Sequence, residues 1–419
     1  SADLESNRKV SIMTVESCSE FRLVSSLSKV YCEPELSAAP VTELYSIAGE
    51  VVAFQAAFKT SYSTFIRFET ESSLDKYLSM YEVQQVPCEL PAAPDDPDAE
   101  RTRPGIFPGP LIPITGPVKN SYGNWPSIRI SLTLPQTLSD GIYPVKVYFH
   151  DQEKQTLLTV NLNVVNIPSE TIGQKIAVAF WFHADCLAVC HRKTIWSEDY
   201  WRLLEHYFQN MRDHGINMLY VPLWTPPLDT LLDGERPTTQ LLRIRELKKG
   251  ESWDFDFSML LRYFHLAEKY AFEYLELSHF FTQWGASSAP KIMDVDGNQI
   301  FPPHTSSTSK AYRAFLSALL PKLLKCIRET GWEKRVYFHI SDEPNEKNIL
   351  IYRECSNFIS TLLKGCPVID AVPDSCFCSD SNSHYPVLPL KNYLTMGNDF
   401  STKRWAYFAG EWQNNMPNR

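Results

Sequence analysis

The residues best suited to chemistry lie in Val336-Tyr-Phe-His-Ile-Ser-Asp342-Glu343-Pro344. An apolar strand-like run ends there in two adjacent acids, followed by a proline that cannot join a ladder. Neighbouring carboxylates repel, which favours a proton on one of them, and a protonated carboxyl near neutral pH is a general acid. The bland alternative is that Asp-Glu-Pro caps the following helix, where acids complement the macrodipole. Geometry narrows the chemistry. A glycosidase that forms a covalent intermediate sets two carboxyls about 5–5.5 Å apart across a sugar, whereas consecutive Cα atoms are about 3.8 Å apart. Adjacent acids suit another division of labour. One protonates the leaving oxygen, and the other holds a nucleophile supplied by the substrate, as a 2-acetamido group can.

Other constellations are missing from the sequence. There is no Gly-x-Ser-x-Gly elbow, no His-Glu-x-x-His helix, no phosphate loop and no dinucleotide fingerprint. The His and Cys spacings propose no metal site, and no cofactor is expected. A net charge of −9 over 419 residues disfavours nucleic acid as a partner. No stretch reaches the ~20 apolar residues of a membrane helix, and no signal peptide is visible. The ten cysteines include no Cys-x-x-Cys pair and there is no Asn-x-Ser/Thr sequon, so the thiols are expected reduced and the protein cytoplasmic. Aromatic residues at 13% can fill cores or stack on sugar rings. Nothing here speaks to oligomeric state.

The elements that must position the acids change character near residue 170. Before it, β-rich runs at 51–58, 127–134, 143–150 and 157–165 alternate with turn signals, and proline-dense 87–117 reads as a long surface loop. An antiparallel β-sandwich is expected over 1–170. After it, strand-like runs (176–182, 218–224, 272–278, 336–340, 367–372, with 387–390 and 405–408 weaker) alternate with helical stretches. One such helix is capped by Ser197 and ended by Gly215, and another, 312–327, contains Pro321. The run 176–182 should be a buried strand. A (β/α) TIM-like barrel is expected over 171–419, with the acids at the C-terminal ends of its strands.

The sequence also resembles glycoside hydrolase family 123, whose members include β-N-acetylgalactosaminidases with a β-sandwich before a barrel. The matching stretches are Trp196-Ser-Glu198, His214-Gly-Ile-Asn217, Thr225-Pro-Pro-Leu-Asp-Thr230, Gly234-Glu-Arg-Pro-Thr-Thr-Gln240, Ser278-His-Phe-Phe-Thr-Gln-Trp-Gly285, Ala289-Pro-Lys-Ile292 and Phe338-His-Ile-Ser-Asp-Glu-Pro344. They run in order through 176–419. Earlier residues match loosely, at 37–55 and 103–113. The resemblance implies that Asp342 bonds the acetamido N–H and orients its carbonyl. Glu343 is implied as acid, then as base for the water that opens an oxazolinium intermediate. The implied substrate is a glycan with a terminal β-linked N-acetylhexosamine, N-acetylgalactosamine favoured. Two alternatives stand beside it: a β-N-acetylglucosaminidase, and a non-catalytic glycan-binding protein with the same pocket.

Further candidates for substrate contact follow the strand-like runs: His183 and Asp185, Thr225 and Asp229, His279, Gln283, Trp284 and Lys291, and late in the chain Tyr407. Trp284 is the best stacking platform, whereas His339, inside a strand, reads as a satisfied core histidine. Three stretches depart from the family pattern and bear on aglycone preference: Ala188-Val-Cys-His191, Phe301-Pro-Pro-His304 and Ala409-Gly-Glu-Trp412. In the family a motif like Asn418-Arg419 precedes a last helix, strand and closing helix. The expectation is therefore a barrel lacking its last strand, with a gap between its first and last strands.

Overall fold

The computed structural model describes residues 19–89, 91, 99–120, 122–151, 154–167, 176–228, 235–373, 385–395 and 405–408. Asp229, the 409–412 stretch and Asn418-Arg419 lie outside the described residues. The chain divides into two compact units at Gln174/Lys175.

In the first unit, ten strands form two five-stranded sheets: β1 (Glu20–Ser25), β2 (Glu43–Ile47), β3 (Val51–Lys59), β4 (Phe65–Glu71), β5 (Leu78–Cys88), β6 (Gly105–Pro113), β7 (Val118–Lys119), β8 (Ser127–Thr133), β9 (Gly141–His150) and β10 (Gln155–Val165). Their orders are β1-β3-β8-β5-β6 and β2-β10-β9-β4-β7. All pairs are antiparallel except β2 with β10, which is parallel. The alternation explains the layers. In β9, Val145, Val147 and Phe149 are buried between the half-buried Lys146, Tyr148 and His150. They join Phe54, Phe58 and Ile130 from the other sheet in one core, with Phe21 and Phe149 rings 4.6 Å apart across it. One correction falls here. Part of the stretch read as loop at 87–117 is β6, a strand paired with β5. It is an edge strand, so Pro108, Pro110 and Pro113 remove donors that have no second neighbour to serve.

The second unit contains, in order, α1 (Ala184–Cys190), α2 (Glu198–Asp213), β11 (Met218–Val221), β12 (Arg243–Lys248), β13 (Ser252–Asp256), α3 (Ser258–Lys269), β14 (Tyr274–Leu277), α4 (Lys310–Glu329), β15 (Val336–Tyr337), α5 (Ile349–Leu363), β16 (Ile369–Ala371), β17 (Tyr385–Pro389), α6 (Leu390–Thr395) and β18 (Trp405–Tyr407). β11-β14-β15 and β16-β17-β18 are parallel three-stranded sheets. Parallel bridges from Ala179 to Met218 and from Phe338 to Val368 extend this into a series adjacent in sequence order. Among the described residues no pairing joins the Ala179 segment to β18, and a closed barrel is not evident. Segment 176–182 is not the buried strand its apolar run implied. Among the described residues it is bridged only to Met218, and Ile176 is 81% and Phe180 56% exposed.

Helices cover one face of the parallel strands. Ser197 Oγ caps α2 by accepting the Tyr200 N–H at 3.2 Å, and Gly215 follows its end at φ +85°. Tyr200, Leu204, Phe208 and Met211 form the buried stripe of α2 against Leu219, Val221 and Leu275. The hairpin β12–β13 was not anticipated. Its alternating Trp253 and Phe255 pack on Phe315 of α4, with ring centroids 5.2 and 5.6 Å away.

Candidate active site

Asp342 and Glu343 sit just past the C-terminal end of β15 and its bridged extension, Asp342 being only 9% exposed. Their backbone is held from both sides. The Asp342 carbonyl accepts from Trp284 N at 2.7 Å and Gly285 N at 3.2 Å, while Glu343 N donates to Ala371 O at 3.0 Å. Ser341 Oγ donates to Thr282 O at 2.7 Å. Glu343 itself has φ +42°, a left-handed conformation that a residue with a side chain adopts only under tertiary constraint. From β18, Tyr407 Oη donates to Glu343 Oε1 at 2.5 Å and so aims that carboxylate.

Beneath the acids lies a buried polar chain. Trp181 Nε1 donates to Glu276 Oε1 at 2.8 Å, and His339 Nε2 meets the same oxygen. His339 Nδ1 lies 3.3 Å from Asp370 Oδ1, which also accepts Ile340 N at 2.8 Å, and Tyr352 Oη donates to Asp370 Oδ2 at 2.6 Å. Burial alone would depress the His339 pKa, but Glu276 and Asp370 more than reverse this, to about 9. His279 stacks on the same ring with centroids 4.1 Å apart, and its pKa falls well below the ordinary range through burial and the charge on His339. One imidazolium and one neutral imidazole result. His339 is thus a satisfied core histidine, and its partners are the surprise.

The other nominated residues divide. Arg236 brings His183 and Asp185 together: Nε and Nη2 bind the Asp185 carboxylate at 3.0 and 2.7 Å, and Nη2 donates to His183 Nδ1 at 2.8 Å. Thr225 Oγ1 is engaged by Thr238 Oγ1 at 2.6 Å and by Thr239 N at 3.0 Å. Lys291 pairs with the exposed Glu235 at 2.6 Å. His279 is fully buried, 3.4 Å from Tyr220 Oη. A cleft of about 320 Å³ is lined by Thr225, Arg236, Gln283, Trp284, Lys291 and Pro303 among others, and Trp284 is 51% exposed. Four prolines and Trp284 share the lining with Thr, Ser and Gln side chains and two ion-paired cations, a surface able to hold a ring between an apolar wall and polar groups. Arg236 was the residue missed. Its motif was legible, but an arginine's task became visible only with Asp185 beside it. Among the described residues no cluster of His, Cys, Asp or Glu could hold a metal ion.

Comparison with solved structures gives the class first. The chain superposes on a family 123 glycoside hydrolase from Clostridium perfringens with TM-score 0.68 and 12% identity, over 89% of this chain and 67% of that one. At that identity the likeness concerns the fold. A β-glucuronidase from Parabacteroides merdae (TM-score 0.27, 11% identity, 89% of this chain and 35% of that one) is too distant to carry an argument. No curated protein matches. The family model "Glycoside hydrolase 123, catalytic domain" matches residues 181–419, and the chain belongs to that family. It is therefore a glycosidase, and its substrate is a carbohydrate.

Proposed function

We propose that this glycosidase removes a terminal β-linked N-acetylhexosamine, N-acetylgalactosamine favoured, by substrate-assisted retaining catalysis. The observation that carries the reading is the placement of two consecutive carboxylates, Asp342 and Glu343, past one strand end, with Tyr407 aiming the second. In this reading the substrate's 2-acetamido oxygen attacks the anomeric carbon while Asp342 accepts the acetamido N–H. The Glu343 carboxyl gives its proton to the departing oxygen. An oxazolinium ion forms, and Glu343 then takes a proton from the water that opens it. The Trp284 cleft receives sugar or aglycone. The parallel segments are strands of a (β/α) barrel over 171–419, carrying the site at their C-terminal ends, and 1–170 is the accompanying sandwich. The relative from Clostridium perfringens, described through its hydrolysis of glycolipid glycans, accords with a glycan substrate.

The test is a panel of aryl β-glycosides. The 2-acetamido compounds turn over, their 2-hydroxy analogues do not, and a thiazoline mimic of the intermediate inhibits. A glycosyl group trapped covalently on either carboxylate overturns the mechanism.

A further inference from the structure

The bonds leading to the acids contain an irregularity. Phe338 pairs with Val368: Phe338 N donates to Pro367 O at 3.0 Å, and Ile369 N donates to Phe338 O at 2.9 Å. In unbroken parallel register the next donor, Ile340 N, would reach Ile369 O. It goes instead to a side chain, Asp370 Oδ1, at 2.8 Å. The backbone bonding then resumes out of step. In continued register the next donor on this side would be Asp342 N, reaching Ala371 O, yet it is Glu343 N that donates to Ala371 O at 3.0 Å. One extra residue has entered the chain between Phe338 and Glu343, as in a β-bulge, a device that re-aims side chains beside active sites.

We propose that Asp370 is a positioning residue: its carboxylate stands in for a strand carbonyl at Ile340 and so fixes where Asp342 and Glu343 leave the sheet. The carboxylate is itself immobilised on every side. Tyr352 of α5 holds Oδ2 at 2.6 Å, and His339, clamped on its far side by Glu276, meets Oδ1. Asp370, His339 and Tyr352 are at most 1% exposed, so water is a poor substitute for any of these bonds. A displacement of the acids by about 1 Å is enough to slow a reaction on the order of 10²-fold.

The inference rests on Asp342 and Glu343 being the working acids, and its test uses whichever aryl glycoside the wild-type enzyme hydrolyses. Absence of 2-acetamido preference in the wild type would overturn the preceding section and leave this test standing. Asp370→Ala is expected to lower kcat per folded molecule about 10- to 100-fold with KM little changed. Asp370→Asn should restore most of the rate, because an amide oxygen can still accept the Ile340 N–H while its NH₂ faces Tyr352. Tyr352→Phe, which removes only the outer anchor, should cost several-fold in kcat and carries the test if Asp370→Ala does not fold. Unchanged kcat in Tyr352→Phe, a loss confined to KM, or an Asp370→Asn variant as slow as the alanine would overturn the proposal.

Discussion

The two units hold their backbones in opposite ways. In the sandwich, β9 and β10 pair without interruption from Gln155 opposite His150 to Val164 opposite Gly141, and side chains alternate in and out along them. In the parallel unit, β15 pairs with β14 only at Val336 and Tyr337, and the chain beyond is held by separate backbone bonds to several segments interleaved with side-chain bonds from Asp370 and Ser341. A ladder satisfies backbone groups with the least dependence on side-chain identity, and it holds every side chain perpendicular to the sheet. In the proposed reading, adjacent acids that converge on one sugar need the ladder broken, and buried polar side chains such as Asp370 then satisfy what it released.

The comparison breaks most sharply at the acids. Glu343→Gln is expected to reduce kcat/KM about 10²–10⁴-fold for poor leaving groups and much less for activated aryl groups, which need little protonation. Asp342→Asn should reduce both alike, so rates across a leaving-group series separate the roles. Neither change should lower the unfolding midpoint much. The converse holds in the sandwich. Phe54→Ala, at a fully buried site, should cost about 3–5 kcal/mol in denaturant unfolding while turnover per folded molecule stays the same.

The polar network adds a pH dependence that the sandwich core lacks. The pKa of His339 is raised from 6.5 to about 9 in the folded protein. The contribution of this group to folding is therefore full below pH about 6.5 and is lost as pH rises through about 9. Denaturant midpoints measured from pH 6 to 10 should fall along that window in the wild type and flatten in His339→Gln. The smallest expected effect is at Gly285. Its φ of +99° and a would-be Cβ 2.0 Å from Asn348 Cγ make Gly285→Ala strained by about 1–3 kcal/mol. Thermal unfolding checks that figure, and a parallel loss in kcat/KM would tie the turn to Trp284.

Much of the helical framework was legible because its signals are local. Ser197 and Gly215 bracket α2, and the 312–327 helix with Pro321 lies within α4. The strand carrying the acids was legible from an apolar run that stops at charge. Edge and partner effects were not. The prolines of β6 masked a strand because a sequence does not show which strand lacks a second neighbour. The run 176–182 looked buried because its residues are apolar, and burial depends on what lies across from them. Within the site, Thr225 and Lys291 were nominated by position along the chain and do line the cleft, but their bonds to Thr238 and Glu235 were not legible. The Glu276–His339–Asp370 network was not legible either, since its members come from three separate segments of the chain.

Trp284, Gly285 and Ala286 follow one another at φ +60°, +99° and +62°, a short turn of the wrong hand for L-residues. Part of it is closed locally, Ala286 N donating to Thr282 O at 3.2 Å, and the rest is held from elsewhere. Trp284 and Gly285 donate to the carbonyl of Asp342, and Asn348 Nδ2 holds the Trp284 carbonyl at 2.5 Å. The turn is closed by its own loop and fixed in place by the segment containing Asp342 and Asn348. Trp284 and the acids are therefore bound into one hydrogen-bonded unit, so a displacement of either segment is passed to the other.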